Sequence, residues 1–102
     1  MSLPIAERDV LRMCLEYLTA KRIFHYRNNT GAVKTEKSFV RFGTPGSPDI
    51  VAVVDGNYIG IECKGSDGKQ SELQKIFQSN LERAGGIYVL VRTLEDLIAV
   101  VG

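Results

Sequence analysis

Two stretches rich in β-formers meet at an Asp-Gly pair in Pro48-Asp49-Ile50-Val51-Ala52-Val53-Val54-Asp55-Gly56-Asn57-Tyr58-Ile59-Gly60-Ile61-Glu62-Cys63-Lys64. Asp-Gly between apolar runs is a strong signal for a two-residue type I′ hairpin. With Asp55-Gly56 as the loop, Val54 faces Asn57 and Asp49 falls opposite Glu62. With Gly56-Asn57 as the loop, Asp49 falls opposite Lys64. A three-residue loop instead sets Asp49 beside Cys63. Side chains alternate along a strand, so Glu62 and Lys64 share a face and Cys63 points away.

The first two registers gather Asp49, Glu62 and Lys64 among valines and isoleucines. Unpaired buried charge is costly, and carboxylates directly opposite each other repel. Two resolutions are open. One is an ion pair of Lys64 with Asp49 or Glu62. The other is a divalent cation, since magnesium and manganese take carboxylate, carbonyl and water oxygens. In the second case the backbone carbonyl of Cys63 supplies a further oxygen, and Lys64 faces a phosphate or a water on the metal.

The rest of the 102 residues read as one α/β domain over 1–102, with strands at 49–54 and 57–64. Residues 5–21 form an amphipathic helix with Val10, Leu11, Cys14, Leu15 and Leu18 on one stripe. Strands are expected at 22–29 and 37–42, separated by the turn cluster Asn28-Asn29-Thr30-Gly31 and followed by a loop rich in Gly and Pro. A helix over 71–84 carries Leu73, Ile76, Phe77, Leu81 and Ala84 on its apolar stripe and stops at Gly85-Gly86. Residues 87–91 form a buried strand, and Thr93 caps a helix over 94–100. The order is a helix, four strands, a helix, a strand and a helix, a mixed α/β sandwich.

Glu7 falls in the middle of the first helix's apolar stripe, whereas Glu16 lies on the opposite face. It suits a third metal ligand or helix-dipole compensation equally. Ser71-Glu72-Leu73-Gln74 matches a capping box, and Gln74 also borders the stripe that faces the sheet. Gly60, between Tyr58 and Glu62, marks a bulge or leaves space for a backbone or phosphate.

The net charge of +1 hides an asymmetry. Between Ala20 and Arg41 stand six cations (Lys21, Arg22, Arg27, Lys34, Lys37, Arg41) and one acid, Glu36. Such a basic segment suits a polyanion or is simply a solvated face. Cys14 and Cys63 make neither a disulfide framework nor a zinc spacing, and His25 is alone. The charged first helix is unlike a secretion signal, and no apolar run approaches the roughly 20 residues of a membrane span. A reduced, cytoplasmic setting is expected.

Pro48-Asp49 followed by Glu62-Cys63-Lys64 resembles the PD-(D/E)XK nuclease signature. Within that superfamily the chain is most similar to the virus-type replication-repair nuclease (VRR-NUC) domain. The likeness takes in Glu7, Tyr26-Arg27-Asn28-Asn29-Thr30-Gly31, Gly43-Thr44-Pro45-Gly46-Ser47-Pro48-Asp49, Gln74, Ala84-Gly85-Gly86 and Thr93-Leu94-Glu95-Asp96. Tyr26 stands where the family often has tryptophan, a departure that touches packing more than chemistry.

The resemblance implies a restriction-endonuclease-like mixed sheet flanked by helices. It implies Asp49, Glu62 and the Cys63 carbonyl as ligands of Mn²⁺ or Mg²⁺, with Glu7 adding a ligand directly or through water. Lys64 would be the catalytic lysine and Gln74 the glutamine bordering the site. Arg27, Asn28 and Asn29 would lie near the DNA backbone, beside the cations Lys34, Lys37 and Arg41. Family members cut DNA, often at flaps or junctions in replication, repair and recombination. Free-standing forms are phage or bacterial homodimers similar to Holliday-junction resolvases, working in the bacterial or host cytoplasm. A competing reading is a catalytically silent nucleic-acid-binding or assembly subunit that keeps the fold. A sequence-reading restriction enzyme would need more chain than 102 residues provide.

Overall fold

A computed structural model describes residues 4–102; Met1–Leu3, the start of the expected 1–102 domain, lie outside the described residues. The elements run α1 (Glu7–Ala20), β1 (Phe24–Arg27), β2 (Gly31–Lys34), β3 (Phe39–Phe42), β4 (Ile50–Val54), β5 (Asn57–Cys63), α2 (Glu72–Arg83), β6 (Ile87–Val91) and α3 (Leu94–Val101). Among the described residues no helix is long and apolar enough to cross a membrane.

The β4–β5 turn sets the frame. Asp55 and Gly56 take left-handed φ values of 51° and 80°, as a type I′ turn requires, and Val54 pairs with Asn57. That fixes Ile50 against Ile61. β1 joins antiparallel to β4 and β6 joins parallel to β5, giving a four-stranded mixed sheet of order β1-β4-β5-β6. Alternation sends Ile50, Ala52, Ile59, Ile61 and Cys63 to one face, where they meet Val10, Cys14 and Leu18 of α1 and Leu97 and Val101 of α3. Each fully buried Leu or Ile contributes about 1.5–3 kcal/mol, so this face holds most of the stability.

The opposite face carries Val51, Gly60, Glu62 and Tyr88, with α2 over its β6 side. Both later helices start at reciprocal capping boxes, Ser71 with Gln74 and Thr93 with Asp96. These satisfy backbone amides that would otherwise lack partners.

Three expectations need correction. Among the described residues five strands, not four, precede α2. Gly31-Ala32-Val33-Lys34 reads in the sequence as turn and connection, because only Val33 in it is a β-former. It becomes a strand by pairing with β3, and this two-stranded sheet stands apart from the main one. The strand expected over 22–29 is only Phe24–Arg27, because Arg22 ends α1 in a left-handed turn (φ 56°). Finally, the apolar stripe of α2 is poorly covered: Leu73 and Ile76 are 52% and 56% exposed. One short helix over a sheet face that carries Gly60 and Glu62 finds too little apolar surface to bury both.

Candidate active site

β5 delivers Glu62 and, just past its end, Lys64. Glu62 alternates with Ile61 and Cys63, so it points away from the α1/α3 core, and it is nonetheless only 2% exposed. The β4–β5 register carries Asp49, the residue before β4, opposite Glu62. Asp49 Oδ2 accepts the Cys63 backbone N–H at 2.8 Å, which fixes its carboxylate beside β5.

Glu62 Oε1 accepts from Gln74 Nε2 at 3.1 Å, and Oε2 is buried without a donor. Burial pushes the Glu62 carboxyl up to about 8, with the Asp49 charge opposite as the next cause. A proton on Glu62 lets it donate to Asp49; without that proton the two carboxylates repel.

Gln74 performs both roles that its position allows. Its Oε1 accepts from Ser71 N at 2.8 Å in the capping box, while its Nε2 reaches Glu62. A loop makes this geometry possible. Gly46 has φ +78° and lies so close to the first turn of α2 that a Cβ would run into the Leu73 carbonyl. The same loop is tied to the end of β1, where Asn28 Nδ2 donates to Ser47 Oγ at 2.8 Å and to the Pro48 carbonyl at 2.9 Å. The space above Gly60 does not stay free: a Cβ there would meet Pro48 Cγ at 2.8 Å and Leu81 Cδ2 at 3.3 Å. Gly60 therefore lets the loop and α2 close over the sheet.

Lys64 follows β5, its backbone N–H bonded to the Val91 carbonyl at 3.0 Å. Its side chain is 11% exposed, and its Nζ lies 4.0 Å from Glu7 Oε1. Glu7 is brought there by the chain before α1: Ile5 N donates to Ser66 Oγ at 2.8 Å and Ser66 N to the Ile5 carbonyl at 3.0 Å. Among the described residues, no lysine or arginine nitrogen comes within 4.0 Å of Asp49 or Glu62. Lys64 thus pairs with Glu7, at the outer limit of distance, in place of the Asp49 or Glu62 partner that the sequence leaves open, and among the described residues neither site carboxylate has a cationic partner.

The structure therefore brings together Asp49, Glu62, the Cys63 backbone, Lys64 and Gln74. Glu7 stands beside Lys64 with its side chain 56% exposed. Among the described residues no three His, Cys, Asp or Glu side chains gather closely enough to hold a metal ion. What converges is a pair of hard carboxylates with one buried oxygen lacking a donor. Mg²⁺ and Mn²⁺ fit such a pair, because they are commonly held by one or two carboxylates, waters and substrate phosphates. The Cys63 thiol is no part of this set; it is buried 3.9 Å from the Cys14 sulfur on the opposite sheet face.

Of the other expected contact residues, Arg27 and Asn29 lie exposed at the end of β1, and Lys34, Lys37 and Arg41 are exposed on the β2–β3 hairpin. Asn28 differs: both of its amide donor contacts pin the loop before Asp49, so it positions the site. Sequence reasoning misses Tyr88, whose hydroxyl accepts from Gln70 Nε2 at 3.2 Å while the same Gln70 nitrogen donates to Gln78 Oε1 at 2.8 Å. Tyr88 pairs with Gly60 across β5–β6, and burial pushes its hydroxyl up to about 12. The register of a parallel pair joined through a helix has no local sequence signal.

Compared with known proteins, the chain matches no family model, no curated protein and no solved structure.

Proposed function

We propose that this chain is a divalent-metal-dependent, structure-selective DNA endonuclease with a PD-(D/E)XK-type core, similar to VRR-NUC domains. It would hydrolyse phosphodiester bonds at branched DNA, junctions or flaps, during replication, repair or recombination. One observation carries the reading: among the described residues, two carboxylates without a cationic partner face each other at the sheet, one of them with a buried oxygen lacking a donor, beside a nearly buried lysine.

In this reading Asp49 and Glu62 hold Mg²⁺ or Mn²⁺, with the Cys63 carbonyl as a further oxygen and Glu7 acting through water. The bound cation supplies Lewis-acid stabilisation of charge on the phosphoryl oxygens and acidifies water. Lys64 would donate to a phosphoryl oxygen as water attacks phosphorus, the water's proton passing to solvent and the leaving strand's oxygen taking up a proton as its P–O bond breaks. Gln74 holds the Glu62 carboxylate in one orientation, and Glu7 holds the Lys64 side chain aimed. Arg27, Asn29, Lys34, Lys37 and Arg41 meet backbone phosphates, contacts that carry affinity but no sequence information. A homodimer in a bacterial or phage-host cytoplasm suits this work, and the exposed Leu73 and Ile76 offer apolar surface for a subunit contact.

The test offers the protein a four-way DNA junction, a 5′ flap and a plain duplex with Mn²⁺, Mg²⁺ or EDTA. Metal-dependent cutting of branched DNA that Asp49→Ala abolishes, with DNA binding retained, is expected. Cutting that survives in Asp49→Ala would remove the site assignment.

A second reading is a nucleic-acid-binding or assembly subunit that keeps the fold without catalysis. It is favoured by the raised Glu62 carboxyl, protonated at neutral pH and able to donate to Asp49 without any metal. It predicts DNA binding with no metal-dependent cutting of any of the three substrates.

A further inference from the structure

The β2–β3 hairpin is the part of the molecule that the fold does not explain. Every residue of both strands is exposed, and among the described residues its ladder joins no other strand. An isolated two-stranded hairpin is marginal in water, so its apolar side chains await a partner. Its tip is closed by Thr35 and Ser38, the Thr35 N–H bonding to the Ser38 carbonyl at 2.7 Å.

The register makes the hairpin two-faced. Gly31 pairs with Phe42 and Val33 with Val40, while Ala32 pairs with Arg41 and Lys34 with Phe39. One face is therefore apolar, and the other alternates cation and aromatic. On the second face the Arg41 guanidinium carbon lies 5.7 Å from the Phe39 ring centroid, yet Phe39 is still 61% exposed. At the root a cleft of about 350 Å³ opens, lined by Phe39, Arg41 and Phe42 with Thr30 and Pro45. That size is at the low end of small-ligand pockets, room for one nucleotide and not for a duplex.

The hairpin carries three cations, Lys34, Lys37 and Arg41, against the single acid Glu36. This charge selects an anion, and the exposed ring selects a flat, unsaturated one. Stacking distinguishes among nucleic acids: a duplex keeps its base faces covered, whereas an unpaired base gains from an aromatic or guanidinium plane. A second copy of this chain would bring the same cations to the contact, which disfavours it on this face.

We infer that the β2–β3 hairpin is a binding arm for unpaired nucleotides, with the base stacked on Phe39 and Arg41 in the root cleft and the phosphates on Lys34 and Lys37. It deepens the nuclease reading and rests on it: unpaired nucleotides are what flaps and opened junctions have and plain duplex lacks. Asn28 and the loop from Gly43 to Pro48 join the root of the arm directly to Asp49.

The experiment measures binding in EDTA, so no catalysis enters. Fluorescent single-stranded oligothymidylate and a blunt duplex of equal length are titrated with wild type, Phe39→Ala and Phe39→Trp. Phe39→Ala is expected to weaken single-strand binding by roughly 5- to 150-fold, the usual worth of one stacked base, with duplex binding changed less than about twofold. Phe39→Trp should restore binding, and quenching of a 2-aminopurine probe should follow the same order. Melting temperatures should not move, because the hairpin's ladder joins no other strand.

Equal weakening on both probes, or no weakening, overturns the inference. So does a shift from dimer to monomer in sedimentation of Phe39→Ala, which would make the arm a subunit contact. Ring-dependent single-strand binding in a protein that cuts nothing would sink the nuclease reading and leave the arm standing. Metal-dependent cutting without ring-dependent binding would do the reverse.

Discussion

Glu62→Gln should make the metal-free protein more stable while destroying its proposed activity. The carboxyl is held at about 8 in the fold against an ordinary 4.5, because burial and Asp49 both oppose its charge. Between those values the unfolded chain has lost a proton that the folded chain keeps, so stability falls as pH rises from 4.5 towards 8. At pH 7 the gap spans about 2.5 units, a cost on the order of 3 kcal/mol at 1.36 kcal/mol per unit. Glutamine removes that cost. Its carbonyl still accepts from Gln74 Nε2, and its amide can donate to Asp49, giving the position of Glu62 Oε2 a bond it lacks as a carboxylate.

Thermal melts in EDTA at pH 7 should therefore show Glu62→Gln melting roughly 12–24 °C above wild type, at 4–8 °C per kcal/mol for a domain of this size. At pH 4.5 the two should agree to within about 0.5 kcal/mol, because the unfolded carboxyl is then only half ionised and the cost has shrunk to about RT ln 2. Mn²⁺ should raise the wild-type melting temperature at pH 7 and leave Glu62→Gln where it was. A gain equal at both pH values, or a loss at pH 7, would show that buried charge is not what this side chain costs.

Three further outcomes follow from the same geometry. Lys64→Gln should lower the proposed cleavage rate by roughly 10²- to 10³-fold, the usual worth of one charge-stabilising donor, with DNA affinity little changed; single-turnover cutting of a junction measures it. Gly46→Ala should destabilise by about 1–3 kcal/mol in urea melts and loosen the Gln74–Glu62 bond, since the residue is left-handed and its Cβ meets the Leu73 carbonyl. Replacing Lys34, Lys37 and Arg41 together by Gln should reduce the slope of log affinity against log salt by about 2–3, close to one unit for each phosphate no longer neutralised.

The parts legible in the sequence are those with a local cause. Asp55-Gly56 announces a hairpin and leaves three registers open, and the structure takes the one that sets Asp49 against Glu62. Ser71 and Thr93 announce their helices by capping chemistry written within four residues. The parts that stay hidden depend on segments distant in the chain. Lys64 finds Glu7 only because Ile5 docks on Ser66, across 61 positions. Gln74 caps a helix and holds Glu62 at once only because the loop around Gly46 seats the start of α2 beside the sheet. β2 is invisible because it has no burial pattern of its own and exists by pairing with β3.

The misread elements share a physical character. Periodicity reports a buried face, and it succeeds for α1, β4 and β5, whose apolar residues meet the core. It fails for β2 and the outer stripe of α2, where apolar residues lie in solvent, and β3, expected at 37–42 and found at Phe39–Phe42, is likewise exposed. Folding thermodynamics of this chain alone gives no reason to keep Phe39 or Ile76 exposed, just as it gives none to bury Glu62 without a donor on Oε2. Both kinds of exception lie beyond the α1/α3 core, on the α2 side of the main sheet and on the separate β2–β3 pair. That distribution is expected where binding, not stability, has set the residues.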